Sequence, residues 1–283
     1  MNSPSAVSSH CGVRVPGLIY GTAWKQERTQ ALVEQALSLG FRGIDTACQP
    51  KHYHEPGVGA GLADWLAKGG SRAEVYLQTK FTPVDGQDPR RMPYDPAASL
   101  PQQVAESFRV SLRNLQTEYL DGLVLHSPLA TRPQLMEVWS AMESLVGSGG
   151  VRQLGISNCY APAELEYLYR HAAVKPAVVQ NRFYAATGYD REIRAYCRDH
   201  GILYQSFWTL TANEWLLAHP VIEALAATHG RSPVQILFRY LSQCGVIPLT
   251  GTTSAAHMAQ DLAIFEFGLT EAEREEIDAL LEP

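Results

Sequence analysis

Residues 121–127, DGLVLHS, set a short apolar run directly before a polar side chain, with Leu123, Val124 and Leu125 leading into His126. Three other segments repeat the arrangement: Asp45 follows FRGI (41–44), Lys80 follows VYLQT (75–79), and Ser157-Asn158 follow QLGI (153–156). Short apolar runs with polar ends read as strands buried on both faces. As successive parallel strands of one barrel, they bring their tips to a single mouth, and residues far apart in the chain become one site.

The segments around them continue the alternation. VPGLIYGT (15–22) reads as a first strand, and ERTQALVEQALSLG (27–40) as a helix that Gly40 stops. Helices are expected near 56–68, 101–115 and 132–147, then after Ala161, after Gly188, in segments between 213 and 243, and near 254–264. AVVQNR (177–182), GILYQSF (201–207) and GVIPLT (245–250) complete the strands, and every connection is long enough for a right-handed crossover. Without a Pro/Gly/Ser-rich linker to divide the chain, the expected fold is a single α/β domain over residues 1–283, a (β/α)₈ TIM barrel with a flexible tail at about 1–12.

Composition narrows the function. The chain has 283 residues, 46% of them hydrophobic, enough to bury a large core. Twenty-three Lys and Arg against 29 Asp and Glu, without charge blocks, argue against a nucleic-acid partner. No apolar run is long enough for a bilayer helix, and the polar start MNSPSAVSSH lacks a signal-peptide pattern, so a cytoplasmic protein without a membrane partner is expected. No obligate protein partner is inferred. Cys11, Cys48, Cys159, Cys197 and Cys244 show no CxxC spacing, which speaks against a disulfide framework or thiolate metal site. Cys48 and Cys159, near strand tips, are read as structural.

Two stretches interrupt the compact pattern. The loop at 81–100, rich in Pro, Asp and Gly, emerges on the face of the strand tips, where Met92 and Tyr94 are candidate substrate contacts against the bland expectation of an exposed crossover. In WTLTANEWLLAHP (208–220), Trp208 is a candidate for the mouth, while Trp215, Leu216 and Leu217 read as helix packing.

The converging side chains suit carbonyl reduction, which needs a hydride donor on one side and a proton donor near the developing alkoxide. Tyr53 is the nearest tyrosine after the Asp45 strand; Lys80 is expected to lower its pKa, and Asp45 to pair with Lys80. His126 is expected to orient the carbonyl, preferably as neutral imidazole. Each residue alone reads as structural; their shared placement carries the functional reading.

From VPGLIYGTAWK through DTA, TK, DGLVLHSP, GISN and VVQN to VIPLTGTTS, nearly the full chain resembles the aldo-keto reductase family. The resemblance implies an NAD(P)H-dependent oxidoreductase that reduces an aldehyde or ketone, with an Asp45, Tyr53, Lys80 and His126 tetrad and no Rossmann fingerprint. The interval after DTA is lengthened by CQPKHYHE, and counting back from Glu55 and Gly59 would put His52 at the tyrosine position. Tyr53 is the expected donor, since imidazole does not reproduce phenol acid chemistry. The resemblance further implies Ser157, Asn158 and Gln180 at the nicotinamide carboxamide, and Trp24 near the substrate opening with Trp208. Gln205, followed by Ser206, stands where an aromatic ring usually stacks on nicotinamide.

At the phosphate end, Leu249 and His257 stand where NADPH-using relatives commonly carry Lys and Arg. Thr250, Gly251, Thr252, Thr253 and Ser254 offer neutral donors at the start of a helix, with Asp261 further along it. NADPH is favoured on family grounds and NADH is possible. The expected substrate is a small or medium-sized carbonyl compound with an apolar or aromatic part, in a more open site, since the sequence around LTEAEREEIDALLEP (269–283) leaves little material for the long C-terminal loop of many relatives. Two other functions compete. His52, His54, Asp45 and His126 suit a metal-dependent barrel hydrolase, which leaves Lys80 and the Ser157-Asn158-Gln180 set without a role; for the reductase no metal is expected. The irregular Tyr53 spacing suits a cofactor-binding regulatory or interaction barrel with little turnover.

Overall fold

The computed structural model describes residues 6–281. Eight parallel strands close a barrel: β3 (Ile19–Gly21), β4 (Gly43–Asp45), β5 (Tyr76–Phe81), β6 (Gly122–Leu125), β7 (Leu154–Ser157), β8 (Val178–Arg182), β9 (Leu203–Phe207) and β10 (Val246–Thr250), which pairs back with β3. Each strand overlaps its expected segment, and β4, β5 and β7 run on past the apolar stretches to include Asp45, Lys80 with Phe81, and Ser157. Helices α1 (Thr29–Leu39), α2 (Glu55–Ala67), α3 (Leu100–Leu115), α4 (Arg132–Gly147), α5 (Pro162–His171) and α6 (Arg191–Asp199) follow β3 to β8 in turn. After β9 come α7 (Glu214–Leu217), α8 (Pro220–His229) and α9 (Pro233–Gln243), and after β10 come α10 (Ala255–Leu262) and α11 (Glu271–Leu280). Ser99 with Gln102, Ser232 with Gln235, and Thr270 with Glu273 form capping boxes that start α3, α9 and α11, satisfying amides left free at a helix start. Among the described residues no helix is long and apolar enough to cross a membrane.

The tail expected at about 1–12 lies partly outside the described residues, and its described part contains a short strand. β1 (Val7–Ser8) pairs antiparallel with β2 (Arg14–Val15), through a turn that uses Gly12 at φ +76°. Periodicity could not announce strands of two residues. Val15 from this hairpin joins Ile19, Tyr76 and Ile247 in an apolar layer, with Leu203 packed against it, which closes the end of the barrel opposite the strand tips. The main core lies outside this layer, between strands and helices, with Trp139, Phe41, Phe183 and Phe238 almost wholly buried.

The α2–α3 contact depends on glycine. A Cβ on Gly59 would overlap the Asn114 carbonyl oxygen and lie 2.9 Å from the Leu115 backbone, neither of which can swing aside. Gly59→Ala is therefore expected to destabilise the fold by about 1–3 kcal/mol. Gly147, at the end of α4, has nothing within 4 Å of a built Cβ, so Gly147→Ala should stabilise by about 0.5–1 kcal/mol. Urea midpoints of the two variants should move in opposite directions.

Candidate active site

Asp45 ends β4, and its register partner Gln78 lies two residues before Lys80 on β5, so both polar side chains of β5 share the face turned to the barrel interior. Lys80 Nζ donates to Asp45 Oδ1 at 2.8 Å, to Oδ2 at 2.6 Å and to the Thr46 carbonyl at 2.9 Å. Both partners are about 1–3% exposed. Burial draws the ammonium's pKa down from its ordinary value, against the opposing charge of Asp45.

Tyr53 stands beside this pair. Lys80 Nζ lies 5.2 Å from its ring centroid, and the His126 ring meets it edge-on at 6.0 Å. Burial, and then the charge of Asp45, hold the phenol's pKa above its ordinary value. The expected lowering by Lys80 is thus outweighed, first by burial and then by the charge of Asp45. His126 Nδ1 shares a 2.7 Å hydrogen bond with the Thr82 hydroxyl. Burial, then the charges of Lys80 and His52, keep its pKa well below the usual histidine value, so the imidazole is neutral near pH 7. His52, the alternative at the tyrosine position, lines the same cavity but packs to one side of this cluster. The His52 ring lies against Trp24, with centroids 4.1 Å apart, while its carbonyl accepts from the Trp24 amide at 2.7 Å.

Below Asp45 the barrel carries a layer of glutamines. Gln78 Nε2 donates to Asp45 Oδ1 at 2.7 Å and to Gln205 Oε1 at 2.9 Å, and Gln180 Nε2 makes the same two bonds at 2.9 Å each. Tyr76 donates to Gln78 Oε1, Gln153 donates to the Tyr76 hydroxyl, and Ser9 of the hairpin turn donates to Gln153 Oε1. A hydrogen-bonded chain thus runs from the closed end of the barrel to the Asp45–Lys80 pair. Gly122 leaves it room, since a Cβ there would sit 2.6 Å from the Tyr76 hydroxyl oxygen. This arrangement corrects the expectation for Gln205: its side chain is fully buried and committed to Gln78 and Gln180, below any surface on which a nicotinamide could stack. Gln78→Leu removes two donors and strands Tyr76 and Gln205, so a loss of about 2–3 kcal/mol is expected by urea unfolding, with Gln78→Glu no substitute beside Asp45.

Above this layer the barrel opens into a cavity of about 910 Å³. Asp45, Tyr53, His126, Trp24 and Trp208 line it with Ser157, Asn158 and Gln180, and Leu249, Thr250, Gly251, Thr252, His257 and Asp261 line its far end. Trp24, Asn158 and Trp208 all adopt left-handed backbone conformations, φ +63°, +53° and +54°. Asn tolerates that region, whereas Trp does so at an expense in free energy, and these two strained tryptophans, 58% and 48% exposed, line one cavity. The Ser157 hydroxyl donates to the Gln180 carbonyl at 2.6 Å, Asn158 Nδ2 donates to the His126 carbonyl at 2.8 Å, and Asn158 Oδ1 accepts from Tyr160. With Gln180 Nε2 engaged, its Oε1 is left as an acceptor beside these groups; donors and acceptors of this kind fit a primary carboxamide. At the far end Thr250 donates to Asp261 at 2.7 Å, and burial pushes the Asp261 carboxyl up to about 6. Lys25 Nζ is turned onto the Gly251 carbonyl.

Several expected residues stay off the cavity wall. Tyr94 is buried against Phe81 and donates to the Thr82 carbonyl at 2.6 Å, and Met92 packs against the core. The 81–100 loop therefore braces Thr82 through Tyr94, and it meets the cavity through Thr82 and Gly86 instead of through Met92 and Tyr94. Ser206 is fully buried and accepts from Thr209, Ser254 caps α10, and Thr253 is exposed beyond the cavity. His54 precedes α2 and is exposed, and among the described residues no three His, Cys, Asp or Glu side chains gather to hold a metal. Cys48 and Cys159 are buried thiols, the latter with its pKa pushed up to about 12. Thr82, Gln78, Arg182 and Lys25 went unnoticed in the sequence. Three of them had a signal: Gln78 and Thr82 flank Lys80 at a spacing of two, and Arg182 follows Gln180 at the same spacing, which places them on one strand face.

The comparisons agree with this geometry. Residues 18–282 match the model of the Aldo/keto reductase family. Glyoxal reductase of Bacillus subtilis is 29% identical over 276 residues, covering 97% of this chain and 92% of that protein. Aldo-keto reductase family 1 member A1 of Homo sapiens is 29% identical over 307 residues, covering 98% of this chain and 89% of its own. The crystal structure of an aldo/keto reductase from Brucella melitensis superposes with a TM-score of 0.83 at 27% identity, over 97% of this chain and 98% of that one. With a closed eight-stranded barrel, a buried Asp–Lys pair at its mouth and a family match over nearly the whole chain, this protein belongs to the aldo/keto reductase family.

Proposed function

We propose that the cavity reduces the carbonyl group of a small or medium-sized aldehyde or ketone, with Tyr53 as the proton donor and His126 holding the carbonyl oxygen. As an aldo/keto reductase the chain is an NAD(P)H-dependent oxidoreductase acting on small carbonyl compounds. The observation that carries the residue assignment is the meeting of Tyr53, His126 and the buried Lys80–Asp45 pair on one wall of a cavity that continues past Ser157, Asn158 and Gln180. A bound nicotinamide supplies the hydride. Ser157, Asn158 and the Gln180 Oε1 hold its carboxamide, and Thr250, Gly251 and Thr252 face the phosphate end. Tyr53, kept protonated by its raised pKa, donates to the oxygen as negative charge develops there. In this reading His126 Nδ1 accepts from the Thr82 hydroxyl, and Nε2 carries the proton that orients that oxygen. Lys80 holds positive charge beside the phenol and stabilises the phenolate left behind.

Between the two dinucleotides we favour NADPH, on neutral donors and the start of α10. Asp261 opposes this preference. Its carboxyl, with a pKa of about 6, is charged above that pH and repels a further phosphate, and it is neutral below. The ratio of NADPH to NADH affinity should therefore rise on acidification, and Asp261→Asn should raise it several-fold at pH 8 and much less at pH 5. Direct titration of both reduced and both oxidised forms tests the whole reading. NADH binding as tight as NADPH rejects the preference, and no binding of any of the four rejects the cofactor site.

A further inference from the structure

Arg182 follows Gln180 on the same face of β8, so it stands about 7 Å further toward the mouth, one layer above the glutamines. Its side chain lines the cavity. The guanidinium carbon lies 4.2 Å from the centroid of Trp208 and 5.1 Å from that of Tyr184, and the strained backbone of Trp208 is part of what places this aromatic face. Nε is buried without a hydrogen-bond partner, and no carboxylate pairs with Arg182 among the described residues. The ammonium on the cavity wall, that of Lys25, is turned onto the Gly251 carbonyl, and Lys80 beneath the wall is paired with Asp45. A guanidinium on a cavity wall with no carboxylate partner suits an oxyanion, because its planar fork matches two oxygens and the aromatic faces hold that fork in place. The backbone amide of Arg182 donates to the Tyr160 hydroxyl, which donates to Asn158 Oδ1, so the guanidinium's strand is tied to the residues assigned to the carboxamide.

We propose that Arg182 is an oxyanion-binding residue of this cavity, taking a carboxylate or phosphate group of a bound molecule. The inference rests on the carbonyl-reductase reading of the cavity. Two sources share this chemistry: a carboxylate on the carbonyl substrate, and the pyrophosphate of the dinucleotide. In the first case an aldehyde that also carries a carboxylate would place the aldehyde at Tyr53 and the carboxylate on Arg182, two residues of one cavity wall.

Arg182→Met keeps an unbranched apolar side chain and removes the charge, and Arg182→Lys restores charge without the fork. For each, kcat/KM is measured for 4-oxobutanoate and for its uncharged methyl ester, the dissociation constants of NADH and NADPH by titration, and that of inorganic pyrophosphate by calorimetry. If the substrate is the source, Arg182→Met lowers kcat/KM for 4-oxobutanoate about 10- to 100-fold relative to the ester, Arg182→Lys recovers part of it, and dinucleotide binding is unchanged. If the dinucleotide is the source, both dinucleotides and pyrophosphate bind about 10- to 100-fold more weakly while the ratio between the two aldehydes stays put. Unchanged discrimination together with unchanged binding of all three phosphate probes overturns the proposal. Parent protein that turns over neither aldehyde but still loses pyrophosphate and dinucleotide binding on Arg182→Met would count against the assigned carbonyl chemistry and leave the oxyanion site standing.

Discussion

Tyr53→Phe is expected to slow the chemical step by about 100- to 10,000-fold, the range in which a positioned general acid contributes. The substitution removes one oxygen from a ring that lies beside Lys80 and His126, so the packing that holds those side chains is kept. Dinucleotide affinity should stay within a factor of two or so, because the groups assigned to the carboxamide come from β7 and β8 and their loops. Single-turnover oxidation of bound NADPH by an aldehyde reads the chemical step, and a fluorescence titration reads binding. The pH profile gives a second check. A proton donor works below its pKa, and burial with the charge of Asp45 holds this phenol above its ordinary value. The rate of the parent protein should therefore stay level as pH rises from 7 and fall only above about pH 10. A near-unchanged single-turnover rate in the variant would remove Tyr53 as proton donor, and His52 would be the next residue to replace.

Lys80→Met should have the largest effect on stability. It leaves Asp45 charged and 2% exposed, with the Gln78 and Gln180 amides as its remaining side-chain donors. Removing one member of a buried pair in this way destabilises by about 3–5 kcal/mol. Asp45→Asn in the same chain should recover much of that loss, because the amide oxygen still accepts from both glutamines and no buried charge is left behind. Urea midpoints of the two single variants and the double variant separate the terms. If Lys80→Met is as stable as the parent, the pair is not the isolated buried charge pair described above. In the refolded double variant the chemical step should remain slow while dinucleotide binding persists, since Lys80 supports the phenolate and touches none of the groups assigned to the carboxamide. A chemical step as fast as the parent's in that variant would contradict the role given to Lys80.

The barrel was legible in the chain because its strands are short apolar runs and its helices repeat apolar residues at helical spacing, both patterns carried by neighbouring residues. The strand tips were legible for the same reason: a polar residue that ends an apolar run sits at a predictable end of a parallel strand, so Asp45, Lys80, His126, Ser157 and Asn158 could be picked out and their meeting anticipated. The spacing of two that puts Gln78 and Thr82 with Lys80, and Arg182 with Gln180, was also present, though only the folded barrel gives those positions something to face.

What the tertiary structure alone decided is whatever depends on closure of the barrel or on the path of a loop. Tyr53 or His52 was a question of how the 46–54 loop folds, and a shift of one residue there exchanges a phenol for an imidazole without altering any periodic pattern. Gln205 passed for a cofactor residue because its neighbours in sequence are aromatic, whereas ring closure sets it opposite Gln78 and Gln180, whose amides reach it across the barrel interior. Tyr94 and Met92 pack under their loop because long-range contacts with Thr82 and the core outweigh exposure. The balance at Tyr53 is likewise three-dimensional: charge type is written in the sequence, but whether Lys80 lowers that pKa or Asp45 and burial raise it depends on distances of a few ångströms, which no linear spacing contains.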